Sequence, residues 1–113
     1  MSCETLAEIL EKCSALSIYE KRQATREYGE LVFYSKDRDE WCRALADILG
    51  PAIKPEGVEP TRSDQEVVKD YGGIRKDQTL FKKEYDCATV IAMFWPWQSG
   101  QYTTLKIGFL GKK

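Results

Sequence analysis

The stretch that decides the fold is residues 87–110, CATVIAMFWPWQSGQYTTLKIGFL. Two runs rich in β-branched and aromatic residues, 87–95 and 102–110, flank a polar segment. Such runs are typical of strands. The segment between them contains Ser99-Gly100, and a polar residue followed by glycine is a frequent two-residue hairpin turn. The sequence therefore predicts an antiparallel β-hairpin near the end of the chain.

In the register set by that turn, one face of the hairpin is apolar throughout. Its facing pairs are Phe94 with Leu105, Ala92 with Ile107, and Val90 with Phe109. We assign this face to the core, because an unbroken row of apolar cross-strand pairs stabilises a sheet only when it is buried. A register shifted by one residue would exchange the two faces.

The opposite face carries Met93, Trp95, Trp97 and Tyr102, with Ile91 beyond them. In a two-layer protein this face should meet water. Its large aromatic side chains instead indicate that something covers it, since exposed apolar patches usually mark an interface. Met93, Trp95, Trp97 and Tyr102 form the candidate binding site.

Three different structures could cover that face. The chain itself could fold over it, with residues 17–27 or 51–62 as the candidates. A second copy of the protein could form a homodimer there. A partner protein or a small apolar ligand is the third, because Trp and Tyr are favoured at binding hot spots.

Before the hairpin, the patterns in the rest of the chain predict one more strand beside it, one earlier strand and up to three helices. Strands are expected at 28–35 and 78–85, and helices at 4–16, 39–49 and 63–71. The last helix opens with Ser63 and Glu66 at capping-box spacing. Residues 19–27 are polar without a clear period and fit either a solvated helix or a link. The predicted class is α+β: an antiparallel sheet of about four strands, ending in a β-meander, with two to three helices on one face in the order α-β-α-α-β-β-β.

The composition limits the classes of function that the chain can have. A chain of 113 residues that is 42% hydrophobic fits a single domain spanning residues 1–113. A net charge of −1 argues against a nucleic-acid partner. The chain has no histidine and no C-x-x-C pair, so we expect no metal site of the common kinds and no cofactor. It begins without a signal-peptide pattern, and its longest apolar run, 87–97, is too short to span a bilayer, so we expect a cytoplasmic protein without membrane contact.

We therefore predict a non-catalytic binding module that uses the aromatic face of the C-terminal hairpin. One alternative is a histidine-free enzyme that uses carboxylate, Tyr or Cys chemistry. Its candidate residues are Tyr28, Tyr34, Glu84, Asp86 and Cys87. A second alternative is a weak single-strand nucleic-acid binder, in which lysines near the hairpin would flank exposed aromatic rings.

Overall fold

The computed structural model describes residues 6–13, 16–24, 28–85 and 88–111, and its centre is a five-stranded antiparallel sheet. The strands are β1 (Glu20–Ala24), β2 (Tyr28–Tyr34), β3 (Thr79–Glu84), β4 (Ala88–Pro96) and β5 (Tyr102–Gly111). The helices are α1 (Leu6–Lys12), α2 (Arg38–Leu49) and α3 (Arg62–Val67), with 3-10 turns at Ser35–Asp37 and Lys69–Tyr71. The spatial order is β1-β2-β5-β4-β3, so the last three strands form a meander and the first two add a hairpin to its β5 side.

The predicted α+β class and the predicted register of the hairpin are both confirmed. Phe94 pairs with Leu105, and the flanking pairs follow the same register to both strand ends. The loop is longer than a two-residue turn: Trp97 N–H donates to the Tyr102 carbonyl, and Gly100 N–H donates back to the Trp97 carbonyl. The register is kept because the loop is closed by the same facing pair, Trp97 and Tyr102.

The first face of the sheet packs against α1 and α2. Each helix contributes one apolar stripe, which is the pattern expected for a helix lying on a sheet. Trp41 of α2 stacks on Phe33 of β2 with ring centroids 5.0 Å apart, and Phe94 meets Phe33 edge to face. This core also contains Ile9, Cys13, Leu45, Ile48, Leu49, Leu31, Phe81, Val90, Ala92, Leu105 and Ile107.

The second face is half covered by the chain itself. Residues 61–74, which we call the covering segment, run over β3 and β4. Val68 and Ile74 of this segment pack with Leu80, Ile91 and Met93 in a second, smaller core. This half of the face is therefore closed to solvent.

Side-chain hydrogen bonds hold the two ends of the covering segment. Thr61 and Asp64 form a reciprocal capping box at the start of α3, with distances of 3.1 and 2.9 Å. Gln65 binds both backbone groups of Ile74, at 2.8 and 3.2 Å. Gly72, in the left-handed conformation with φ of 98°, ends the helical part, as glycine commonly does.

Several expectations differ in detail. The polar residues 19–27 contain a fifth strand, β1, which pairs with β2 and carries a bulge between Lys21 and Gln23. The helices lie on both faces of the sheet rather than on one, because α3 belongs to the covering segment. The cap of α3 is Thr61 with Asp64, two residues earlier than the predicted pair of Ser63 with Glu66.

Within the described residues, no helix has the length and apolar character needed to cross a membrane.

Candidate functional site

The four residues predicted for the site lie in three different surroundings. Met93 is completely buried, in the small core beneath the covering segment. Trp95 is partly buried at the border of that core. Trp97 and Tyr102 face each other beyond the covering segment and are partly exposed. The structure thus brings Trp97 and Tyr102 together and separates Met93 from them.

Trp97 and Tyr102 belong to a larger group of rings at one end of the second face. Its members, which we call the aromatic cluster, are Tyr19, Tyr34, Trp97 and Tyr102. Tyr102 is central: its ring centroid lies 4.3 Å from Tyr19, 5.0 Å from Trp97 and 5.8 Å from Tyr34. Tyr19 also meets Tyr34 edge to face, at 5.5 Å.

The topology explains why these four rings meet. Tyr34 ends β2 and pairs directly with Tyr102 at the start of β5. Trp97 follows β4 and is the other cross-strand neighbour of Tyr102. Tyr19 precedes β1, and its N–H donates to the Val32 carbonyl, so its ring lies over the same corner. Cross-strand neighbours on one face are within reach of aromatic side chains.

Trp97 is anchored to the neighbouring strand. Its indole Nε1–H donates to Thr104 Oγ1 at 2.8 Å, which fixes the ring against β5. A fixed aromatic ring loses little conformational entropy when a partner binds. Tyr19, by contrast, is 45% exposed, and its neighbour Ile18 is 38% exposed. The cluster therefore combines a rigid base with an apolar rim that meets solvent.

Two cations contact rings of the aromatic cluster. The Arg22 guanidinium lies 5.3 Å from the centre of the Trp97 ring, and the Lys36 ammonium lies 5.7 Å from the centre of Tyr34. Both distances fit cation–π contacts. A cavity of about 510 Å³ adjoins the cluster and is lined by Tyr34, Ser35, Lys36, Gly100 and Gln101. Burial, followed by contact with Tyr19, raises the pKa of Tyr102.

A second recess lies farther along the same face, between the covering segment and β2 and β5. This Lys106 cleft, lined by Tyr28, Tyr71, Gly72 and Lys106, has a volume of about 460 Å³. Tyr28 and Tyr71 are stacked, with centroids 5.7 Å apart and planes inclined by 16°. The Lys106 ammonium lies 3.5 Å from the centre of the Trp95 ring.

Burial and a carboxylate perturb the titrating groups of the cleft. Burial, with a hydrogen bond to Glu30, strongly raises the pKa of Tyr28. Burial lowers the pKa of Lys106, an effect that the charge of Glu30 partly offsets. Both shifts follow from removing a charged form from water.

The residues of the enzymatic alternative are dispersed. Tyr28 and Tyr34 lie at opposite ends of β2, and Glu84 ends β3, which is separated from β2 by β5 and β4 in the sheet. The Glu84 carboxylate is 3.4 Å from the Lys82 ammonium and is exposed. Asp86 and Cys87 lie outside the described residues. Among the residues that are described, no three acidic or cysteine side chains converge on a point that could hold a metal ion.

Tyr19, Tyr34, Arg22 and Tyr71 line the candidate sites although the sequence did not assign them to the binding face, whereas Lys106 was placed on that face opposite Met93, as the register confirms. The alternation in β2 puts Tyr34 on the same face as Tyr28, so knowledge that β2 pairs with β5 would have added Tyr34 to the cluster. Tyr19 and Arg22 carried no such signal, because the polar strand β1 has no apolar alternation.

Comparison with other proteins does not extend this description: the chain matches no family model, no curated protein and no solved structure.

Proposed function

We propose that the protein is a non-catalytic binding module that holds an extended segment of a partner protein on the aromatic cluster. The observation that carries the proposal is the group of four contacting rings around Tyr102, which remains partly exposed beyond the covering segment. Tyr and Trp concentrate at the centres of protein interfaces, where each gives a large contact area at a low cost in entropy.

The chemistry of the partner follows from the flanking charges. Lys36 lies on the Tyr34 ring, and Arg22, which is also paired with Glu20 and Glu30, lies on the Trp97 ring. A partner segment that carries an acidic side chain next to an aromatic or apolar residue therefore complements the cluster, chiefly through Lys36. In a symmetric pair of copies, each flank would meet a flank of like charge, because a two-fold interface pairs the same patch with itself. Charge therefore favours a different partner over a homodimer.

We place this binding module in the cytoplasm. Cys13 and Cys42 are free thiols, and free thiols persist in a reducing compartment. The proposal assigns no reaction and no cofactor to the chain.

A specific observation also favours one second candidate. Partly exposed aromatic rings with cations beside them, as at Trp97 and Tyr34, resemble the platforms on which single-stranded nucleic acids place their bases. The formal net charge of −1 counts against it, because nucleic-acid binders gain most of their affinity from neutralising phosphates. This candidate is kept as an outcome of the experiment below.

The experiment is a selection of random peptides displayed on phage against the purified protein. We expect the enriched peptides to carry an aromatic residue next to acidic residues. Tyr19→Ser should weaken their binding by about tenfold or more, which corresponds to about 1.4 kcal/mol. Val58→Ser is the matched control, because Val58 is 48% exposed and lies outside the cluster, and it should leave the affinity unchanged.

The alternatives give different results. Failure to enrich any peptide, or enrichment of peptides that bind Tyr19→Ser as well as the unchanged protein, contradicts the proposal. Salt-dependent binding of a single-stranded oligonucleotide that Tyr19→Ser abolishes would replace the partner protein by a nucleic acid. A dimer that dissociates on Tyr19→Ser would replace it by a second copy.

A further inference from the structure

The Lys106 side chain is a half-buried cation whose acidic cross-strand neighbour, Glu30, is bound by other groups. It lies in the middle of β5, between Glu30 of β2 and Met93 of β4 as cross-strand neighbours. Its ammonium is placed on the face of Trp95, 3.5 Å from the ring centre. Within the described residues it forms no hydrogen bond and no salt bridge.

Glu30 does not serve as a salt-bridge partner for Lys106, because it is held by other groups. Its Oε1 accepts a hydrogen bond of 2.8 Å from the Tyr28 hydroxyl, and its Oε2 lies 3.8 Å from Arg22 Nη1. Arg22 brings a second positive charge to the same side of the sheet. The contact with the Trp95 ring offsets part of the hydration that Lys106 loses on burial, and a carboxylate would offset more of it.

The cleft beside this ammonium has the size and walls of a small-molecule site. Its volume of about 460 Å³ is within the common range for such sites. Tyr28 and Tyr71, whose rings are stacked on each other, both line it. Gly72 contributes no side chain, and a Cβ at that position would collide with Trp95. The lining thus combines two aromatic side chains with one positive charge.

We propose that the Lys106 cleft binds a small planar aromatic carboxylate, whose ring packs on Tyr28 and Tyr71 and whose carboxylate accepts a hydrogen bond from Lys106. A carboxylate carries one negative charge, which matches the one cation of the cleft. A phosphate would call for more donors, and Arg22 is already engaged with Glu30. Aromatic ligands fit because offset stacking against tyrosine adds to the burial of the ring.

This site is separate from the aromatic cluster. Lys106 and Tyr102 are four residues apart on β5, which corresponds to about 13 Å along the strand. The carboxylate site therefore stands or fails independently of the binding of a partner protein at the cluster.

The experiment compares 2-naphthoate with 2-naphthamide, two probes of the same shape of which only the first is charged. Isothermal titration of the intact protein should show that naphthoate binds about tenfold or more tighter than naphthamide. Lys106→Met should remove this preference, so that both probes bind alike. Lys82→Met is the matched control, because Lys82 lies on β3 beside Glu84, and it should keep the preference.

A second measurement uses the unchanged protein and does not depend on the folding of any variant. Naphthoate should shift the backbone amide resonances of Tyr71, Gly72 and Lys106 in a two-dimensional NMR spectrum. Equal affinity for the two probes, no binding of naphthoate, or shifts confined to Tyr34 and Gln101 would each overturn the proposal. A preference for naphthoate that survives in Lys106→Met would do the same.

Discussion

Gly72 lies directly against the indole ring of Trp95: a Cβ built on Gly72 would be 2.7 Å from Cη2 of that ring. The contact joins the end of the 3-10 turn in the covering segment to β4. Two features require glycine at this position: the close approach of the Trp95 ring, and a φ angle of 98°, which lies in the left-handed region. The closure of half of the second face depends on this close approach.

The first prediction concerns this contact. Gly72→Ala should destabilise the protein by about 2–4 kcal/mol, because it adds a steric collision to the cost of a left-handed alanine. Gly100→Ala is the control, since Gly100 has φ of 78° and open space around its Cβ position; it should cost about 1–2 kcal/mol. Urea unfolding of both variants measures the difference. Equal losses would mean that Trp95 moves aside freely.

The second prediction separates Met93 from the surface residues with which the sequence grouped it. Met93→Ala should destabilise the protein by about 2–5 kcal/mol, because Met93 is fully buried under Val68 and Ile74. Apart from the contribution of its lost ring contacts, Tyr19→Ser should change the free energy of unfolding by less than about 0.5 kcal/mol. Thermal unfolding compares the two. If Met93→Ala were neutral, the covering segment would not pack on β4.

The third prediction concerns Lys54, which is only 1% exposed although it comes from the proline-rich loop. Its ammonium donates hydrogen bonds to the carbonyls of Lys76 and Gln78, which ties this loop to the turn before β3. Lys54→Met should cost about 1–3 kcal/mol, since it removes the ammonium donor from the buried Gln78 carbonyl, while the Lys76 carbonyl keeps the Gly57 N–H. Lys83→Met, at an exposed position of β3, is the control and should be neutral in the same urea titration.

The fourth prediction is a loss of stability in alkali that depends on Tyr28. Burial and the hydrogen bond to Glu30 raise the pKa of Tyr28 well above its ordinary value. Above pH of about 10 the unfolded chain therefore releases this proton while the folded chain keeps it. Stability is then fully present below that pH and falls as the pH rises through the folded pKa.

The measurement is the urea midpoint as a function of pH for the unchanged protein and for Tyr28→Phe. The variant lacks the titrating hydroxyl, so its midpoint should fall less steeply in alkali, whatever its stability at neutral pH. Parallel curves for the two proteins would show that the Tyr28 proton is not retained on folding.

The sequence supported the prediction of the hairpin because both of its strands alternate clearly and the aromatic residues keep one parity. The pairing of Trp95 with Thr104 and of Met93 with Lys106 follows from that alternation together with the position of the Ser99-Gly100 turn. The strand β1 escaped prediction because EKRQA has no apolar alternation; it is a strand because its backbone pairs with β2, not because its side chains favour burial.

The site was predicted in part for a related reason. The sequence placed Met93, Trp95, Trp97 and Tyr102 on one face, and the register confirms that they share it. The sequence offered residues 17–27 or 51–62 as a cover from the chain. From the first of these, Tyr19 lies on Tyr102 and Arg22 on Trp97, whereas the half of the face around Met93 is covered by residues 61–74. Short amphipathic segments such as α3 carry too few apolar positions to show which half of a sheet they will occupy.

By itself, the sequence determined the class of the fold, the hairpin register and the aromatic character of the second face, because these depend on the local alternation of side chains along a strand. The tertiary structure alone decided that Met93 is core, that Tyr19 and Tyr34 join Trp97 and Tyr102, and that Lys106 faces a cleft with Glu30 already engaged. Those outcomes depend on contacts between segments far apart in the chain. These contacts depend on which surfaces pack best once the sheet has formed, and the local sequence pattern does not predict that packing.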